Sequence, residues 1–190
     1  MNKNLLHQQA ELLISIVPYM TKDTDFALHG GTAINFFVRD MPRLSVDIDL
    51  TYLRLSSREE TLKAISEQLK SISKRISSNM PSVLIEEKAD SSTSFISKLY
   101  VKKQDAIVKV EPNNVIRGSL FGPEERDLCK KGEEVFEKFV TAKTMAFSEL
   151  YGSKICAALD RQHPRDIFDI MLLLKKGLQN KSVNRFLFTL

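Results

Sequence analysis

The segment 26–50 constrains the fold more than any other part of the chain. It opens with a short apolar run, turns at the pair Gly30 and Gly31, continues with helical spacing and ends in a second apolar run. That second run contains Asp47 and Asp49, one residue apart, and alternation along a strand puts both carboxylates on one face. The segment predicts a strand, a tight turn, a helix and a strand that carries paired acids.

Two carboxylates held a few ångströms apart repel each other unless a cation lies between them. Oxygen ligands suit Mg²⁺, which binds through one or two carboxylates together with substrate phosphates. Asp47 and Asp49 therefore indicate phosphoryl or nucleotidyl transfer. The structural alternative is an exposed edge strand whose two aspartates are only solvated.

The glycine turn favours phosphoryl or nucleotidyl transfer over a solvated edge strand. Free backbone N–H groups and the helix dipole at a helix N-terminus both favour phosphate. Gly30 and Gly31 are thus candidate ligands of a triphosphate, and Thr32 offers a hydroxyl donor. Taken with the acidic strand that follows, the turn predicts one part that holds triphosphate and one that holds metal.

Four short motifs follow one another along the chain: Gly30–Ala33, Arg43–Leu50, Lys154–Arg161 and Pro164–Asp169. In this order they resemble the AbiEii/MenT toxin family of nucleotidyltransferases, in the polymerase-β-like superfamily. The resemblance implies an α/β (α+β) fold in which helices flank a central mixed β-sheet. We expect a nucleotidyltransferase core over residues 1–140 and a C-terminal helical portion over 141–190, which is either docked on the core or a shortened form of the family's.

In-line displacement at a triphosphate is best served by two metal ions, and two ions need a ligand beyond Asp47 and Asp49. We therefore expect a third acid on a neighbouring strand. The β-branched run 106–111 ends in Glu111, and the resemblance places the family's third acidic residue there. An ordinary strand-end glutamate is the alternative. Lys109 either approaches the phosphates or lies exposed.

The resemblance also implies roles for the late motifs. It makes Lys154 the ligand of the nucleotide phosphates, and the family's late aspartate falls on Asp166 or Asp169, with Asp166 favoured. Arg43, in a loop before the acidic strand, is expected to meet a phosphate. A structural alternative for Asp166 is that it stabilises a helix N-terminus and fixes a neighbouring cation.

The late motifs predict helix, turn, helix. Ser148 is the expected N-cap of the first helix, and Pro164 starts the second. The apolar stripe of the second is expected at Ile167, Ile170, Met171 and Leu174. Earlier, the spacing predicts a helix over 5–20, a capping box at Ser57 opening another helix, and strands near 83–87, 95–101 and 106–111.

Taken together, we expect an enzyme that needs Mg²⁺, with a two-metal site, and that transfers a nucleoside monophosphate from an NTP to an acceptor hydroxyl. From the family, the acceptor is the tRNA 3′ end, and an antitoxin is encoded alongside. Two other functions stay open: a nucleotidyltransferase for small molecules of the antibiotic type, and a non-catalytic module that kept the fold.

Composition agrees with a cytoplasmic protein. The chain has 190 residues, 43% hydrophobic and 27% charged, and no apolar run long enough for a membrane span. The two cysteines, Cys129 and Cys156, lack metal-binding spacing, and of the three scattered histidines only His29, next to the glycine pair, is a candidate site residue. The net charge of +4 permits a polyanionic partner. Most of the lysine clusters, which include Lys98 and Lys102, are expected to be solvated faces, and they carry no RNA-binding signature of their own.

Overall fold

The computed structural model describes residues 3–177. Within that part of the chain, the helices are α1 (Lys3–Thr21), α2 (Gly30–Thr32), α3 (Arg58–Asn79), α4 (Lys130–Phe136), α5 (Phe147–Arg161) and α6 (Pro164–Gly177). A π-helical turn, Ala33–Val38, continues α2. The strands are β1 (Phe26–His29), β2 (Asp47–Tyr52), β3 (Leu84–Ala89), β4 (Ile96–Lys103), β5 (Ala106–Arg117), β6 (Glu124–Asp127) and β7 (Thr141–Thr144).

The strands form one mixed sheet in the order β3-β4-β5-β2-β1-β7-β6. Strands β2 and β5 run parallel, as do β1 and β7, and the other neighbouring pairs are antiparallel. A mixed sheet flanked by helices is confirmed. The parallel pairing of β2 with β5 places the acidic strand beside the strand that carries Glu111.

The core lies between one face of the sheet and helices α1 and α3. Apolar side chains from α1 are fully buried, as are those of α3 that repeat at helical spacing. The capping box of α3 is present: the Ser57 side chain accepts from the Glu60 N–H at 3.3 Å, and the Glu60 carboxylate accepts from the Ser57 N–H at 3.1 Å. None of the described helices is long and apolar enough to cross a membrane.

The structure differs from the sequence-based expectations at three points. Helix α5 begins at Phe147 with Ala146 as N-cap, so the prediction of Ser148 in that position is wrong. The expected helical portion over 141–190 begins with strand β7, which lies inside the sheet, and its helices start at Phe147.

The third difference concerns α6. Of its predicted apolar stripe, Ile170 is half-buried, but Ile167, Met171 and Leu174 are 52%, 38% and 44% exposed, so the predicted facing is wrong for those three residues. The buried face of α6 instead carries Asp166, Asp169 and Leu173. Partners that bind the two aspartates from other elements explain this reversal, and they belong to the site.

Candidate active site

Strand β2 presents its two aspartates on the face opposite the core. Ile48 and Leu50 are fully buried, whereas Asp47 and Asp49 remain partly exposed. Alternation alone predicts this arrangement. Across the parallel pair, Asp49 lies opposite Glu111, so the third acid shares the face of the first two.

The glycine turn lies directly against Asp49. Gly30 has a φ of +65°, a conformation that side chains disfavour, and a Cβ there would lie 2.2 Å from the Asp49 Oδ2. A Cβ on Gly31 would lie 3.0 Å from the Arg43 Nη2. Both glycines are therefore needed for close approach of the turn to charged side chains.

Thr32 points into the protein. Its side chain is fully buried, and its hydroxyl donates to the Asp47 carbonyl oxygen at 2.5 Å and lies 2.9 Å from the Ser45 Oγ. The hydroxyl that was expected to face a phosphate instead joins the end of α2 to the start of β2. This hydrogen bond fixes the backbone of Asp47.

An open cleft of about 430 Å³ lies over this face of the sheet. Its polar wall comes from the glycine turn, from strands β2 and β5 and from helix α5, while four apolar residues and an asparagine pair complete it. The lining residues are His29, Gly30, Asp49, Leu50, Glu111, Pro112, Asn113, Asn114, Ile116, Ser153, Lys154, Ala157 and Arg161.

The carboxylates of the two β2 aspartates are unpaired within the part of the chain that the structure describes. Among the described residues, no hydrogen-bond donor or ion-pair partner reaches the carboxylates of Asp47 and Asp49. Burial raises the pKa of Asp49, and the charge of Asp47 raises it further, against the opposing charges of Lys109 and Lys154. A pair of neighbouring carboxylates in this state attracts a cation.

Glu111 is bound differently. Its carboxylate accepts from Lys98 and from Lys109, each at 2.6 Å. Burial opposes ionisation of Glu111, but the hydrogen bonds from Lys109 and Lys98 outweigh it and lower its pKa. Lys109, whose position the sequence left open, is therefore a partner of the third acid and is a third exposed.

In residues 3–177, no group of three or more His, Cys, Asp or Glu side chains is arranged to hold a metal ion. The Glu111 carboxylate is instead bound by Lys98 and Lys109. The carboxylates of Asp47 and Asp49 are bound by no other described residue and lie at the edge of an open cleft. As oxygen ligands, they fit a hard cation such as Mg²⁺.

Helices α5 and α6 contribute an alternating chain of charges. Lys154 Nζ lies 3.0 Å from Asp166 Oδ1 and 3.3 Å from Asp169 Oδ2. Arg161 donates to Asp166 at 2.7 Å, and Arg43 binds Asp169 through two nitrogens at 2.6 and 3.0 Å. Lys154 and Arg161 reach the cleft from this chain, whereas Arg43 faces Asp169 and is not part of the lining.

Both candidates for the late aspartate thus contact the same lysine. Burial opposes ionisation of Asp166, but hydrogen bonds from Arg161 and Lys154 lower its pKa to about 2. Both aspartates are buried, and together they hold Lys154, itself only 7% exposed, with its ammonium group at the cleft wall.

A hydrogen-bonded chain of side chains beside the glycine turn was not predicted from the sequence. His29 Nε2 lies 2.5 Å from the Ser153 Oγ, and His29 Nδ1 lies 2.8 Å from the Thr51 Oγ1. Burial, and then the charge of Lys154, lowers the pKa of His29 to about 4, so the ring is neutral. The position of His29 next to Gly30 singled it out, but no sequence signal pointed to Ser153.

The fold and site are those of a nucleotidyltransferase, and the comparisons with known proteins give the family. Residues 12–188 match the family model described as nucleotidyl transferase AbiEii toxin, type IV TA system. The chain therefore belongs to this family of toxins of type IV toxin–antitoxin systems.

A solved structure supports the same fold. MenT4, a nucleotidyltransferase toxin from Mycobacterium tuberculosis H37Rv, is similar with a TM-score of 0.61 and 14% sequence identity, over 98% of this chain and 68% of that chain. No functionally curated protein sequence matches the chain. The expected family, fold class and enzyme class are confirmed.

Proposed function

We propose that the protein is a Mg²⁺-dependent toxin that transfers a nucleoside monophosphate from an NTP to a hydroxyl at the 3′ end of tRNA. One observation carries the proposal: the carboxylates of Asp47 and Asp49 lie on one face of β2, bound by no other described residue, against a glycine turn at a helix N-terminus. That combination offers a metal site and a phosphate site in contact with each other.

In this proposal, Asp47 and Asp49 would hold Mg²⁺, and Glu111 would be the third ligand of a site for two such ions. Bound there, Mg²⁺ would supply charge neutralisation at the phosphates and orientation of the substrate for in-line displacement. Asp47 is positioned for this by Thr32, which binds its carbonyl oxygen.

The triphosphate lies over the backbone N–H groups of Gly30 and Gly31. Lys154, held at the cleft wall by Asp166 and Asp169, neutralises the charge that develops as the bond breaks. Arg161, on the same wall, adds a second positive charge. Arg43 acts indirectly, since it binds Asp169 and lies against the glycine turn.

In the transfer itself, the acceptor oxygen forms a bond to the α-phosphorus, and the bond from that phosphorus to the bridging oxygen of the β-phosphate breaks. Pyrophosphate leaves with the electron pair. The proton of the acceptor hydroxyl passes to a carboxylate at the cleft, Asp49 or Glu111. Modification of tRNA ends stops translation in the cytoplasm, and the antitoxin that the family implies opposes that effect.

The test is incubation with each α-³²P-labelled ribonucleoside triphosphate, Mg²⁺ and total bacterial RNA. We expect label in tRNA-sized RNA with the wild type and none with Asp47→Ala/Asp49→Ala. The matched control is Glu67→Ala/Glu134→Ala, which removes two exposed carboxylates far from the cleft and should retain full activity.

Three outcomes count against the proposal. Activity of the double aspartate variant would remove the metal assignment. Label that enters only a small-molecule acceptor would change the substrate class. Nucleotide binding without transfer to any acceptor would identify a non-catalytic module.

A further inference from the structure

The polar face of the sheet extends beyond the cleft onto its outer strands. On β4, Lys98, Tyr100 and Lys102 share this face, because they alternate with the buried Leu99 and Val101. We call it the lysine–tyrosine face; it comprises Lys88 of β3, Lys98, Tyr100 and Lys102 of β4 and Lys109 of β5.

This face is continuous with the catalytic acids. Tyr100 pairs in register with Lys109, and Lys109 pairs with Asp47. Since neighbouring strands lie about 4.8 Å apart, Tyr100 is roughly 10 Å from Asp47 along the sheet. One or two nucleotides next to a reacting hydroxyl would span that distance.

The lysines on this face are incompletely neutralised. Lys88 and Lys102 share Glu86, at 2.9 and 2.6 Å, and Lys98 and Lys109 share Glu111. Four lysines thus share two glutamates, and Asp47 lies in register beside Lys109 at the end of the face nearest the cleft. Each ammonium group has three donors, so donors remain for a polyanion beyond these contacts.

The side chains are also accessible. Those of Lys98, Lys102 and Lys109 are 39%, 37% and 34% exposed, and Lys88 is 57% exposed. Tyr100 lies among them and is partly exposed. An aromatic ring surrounded by lysines on an open sheet is the arrangement that binds single-stranded nucleic acid, by stacking a base on the ring and holding phosphates around it.

We propose that the lysine–tyrosine face binds the single-stranded end of the RNA acceptor, with one base stacked on Tyr100 and its phosphates beside Lys88 and Lys102. The proposal rests on the proposed function, in which the acceptor is RNA, and it places the strand on the outer side of Asp47. An acidic protein would engage the lysines but would have no need of the Tyr100 ring.

Binding is measured separately from transfer. A fluorescein-labelled single-stranded oligoribonucleotide is titrated with the full chain, without NTP and with EDTA, and anisotropy gives the Kd. The variants are Tyr100→Ala, Tyr100→Phe and Lys88→Gln/Lys102→Gln. Their matched control is Lys70→Gln/Lys74→Gln, which removes two exposed lysines of α3, on the opposite side of the sheet.

We expect Tyr100→Ala to weaken binding about tenfold, whereas Tyr100→Phe, which keeps the ring, stays within about twofold of wild type. The slope of log Kd against log salt should fall by about 1.4 in Lys88→Gln/Lys102→Gln, since each lost phosphate contact contributes about 0.7 for single strands. The control variant should keep the wild-type slope. Rescue by phenylalanine separates stacking from a general loss of folding.

Unchanged Kd in Tyr100→Ala would overturn the proposal. So would an equal loss of binding to polyglutamate in that variant, which would identify an acidic protein surface instead. If the wild type labels tRNA but none of these variants changes the Kd for RNA, the proposed docking surface is wrong and the proposed transfer reaction is retained. Tyr100-dependent RNA binding without transfer to RNA would sustain the surface and remove the proposed reaction.

Discussion

Gly30 meets two structural requirements of the site, a backbone conformation and a close contact with Asp49. The turn needs a positive φ, and the space that a Cβ would occupy is taken by the Asp49 carboxylate. Backbone conformation and ligand geometry therefore depend on the same missing side chain. Any larger residue at this position must move either the turn or the acid.

Gly30→Ala should consequently lower transfer at least a hundredfold, because displacement of Asp49 by about 1 Å disrupts the positioning of the reactants. Its free energy of unfolding should fall by about 1–2 kcal/mol, from the strained φ. Gly152→Ala is the matched control: a Cβ there meets nothing within 4 Å, and alanine in a helix is favoured by up to about 1 kcal/mol. Urea unfolding and labelled transfer measure both variants, and full activity in Gly30→Ala would contradict the close approach.

The ion pairs of Asp166 predict how stability depends on pH. In the unfolded chain this carboxyl titrates near 3.8, and in the folded protein its pKa is lowered to about 2. Between those values the unfolded chain binds more protons, so the free energy of unfolding decreases as pH falls. The contribution, on the order of 2 kcal/mol, is fully present above about pH 5 and is lost as pH falls through about 2.

Asp166→Asn removes this titration. The difference in unfolding free energy between wild type and Asp166→Asn should narrow by about 1–2 kcal/mol as pH falls from about 5 to about 2. Urea unfolding at a series of pH values measures it. A difference that is constant over that range would show that the pairs with Arg161 and Lys154 do not lower the pKa.

At the level of elements, helix α6 shows how charge pairing can override apolar spacing. Its apolar residues predict a buried stripe through Ile167, Met171 and Leu174, yet those residues lie on the exposed side. The face turned to the protein carries Asp166 and Asp169, with Leu173 on the same side. Because both aspartates bind cations that come from other elements, the rotation of α6 is set by its ion pairs.

Adjacent leucines test this orientation. Leu173→Ala should lower the free energy of unfolding by about 2–4 kcal/mol, since that side chain is 1% exposed and its removal leaves a cavity. Leu174→Ala, at 44% exposure, should change it by less than about 1 kcal/mol. Urea unfolding of the two variants measures the contrast. Equal losses would place Leu174 in contact with the core as well.

On the scale of the whole molecule, the sheet order assembles the site from distant parts of the chain. Strand β2 lies between β5 on one side and β1 on the other, which brings Glu111 and the glycine turn to Asp49. Helix α5 contributes Lys154 to the wall of the same cleft. The acids, the turn and the lysine meet only because the sheet is folded, so a ligand at this point links the folded elements.

Mg²⁺ should therefore stabilise the folded protein. At tenfold excess over its Kd, a ligand that binds only the folded state contributes about 1.4 kcal/mol, which raises Tm by roughly 3–5 °C for a chain of this size. Asp47→Asn/Asp49→Asn should show no such rise, while Glu67→Gln/Glu134→Gln should respond like wild type. Differential scanning fluorimetry with Mg²⁺ and with EDTA measures this, and an equal rise in all three proteins would indicate a metal site elsewhere.

Local sequence determined the parts of this protein whose physical causes are local. The alternation around Asp47 and Asp49, the turn at Gly30 and the capping box at Ser57 each follow from interactions within a few residues. They predicted the strand, its acidic face and the starts of α2 and α3 before any contact between distant segments was known. The order of the motifs was enough to predict the family and its mixed sheet.

The tertiary structure alone decided how side chains from separate elements share their charges. Glu111 was predicted as a third acid, but its pairing with Lys98 and Lys109 depends on the register of three strands. Thr32 was predicted to face a phosphate, yet it binds β2. These outcomes depend on distances between segments far apart in the chain, and a linear pattern does not contain those distances.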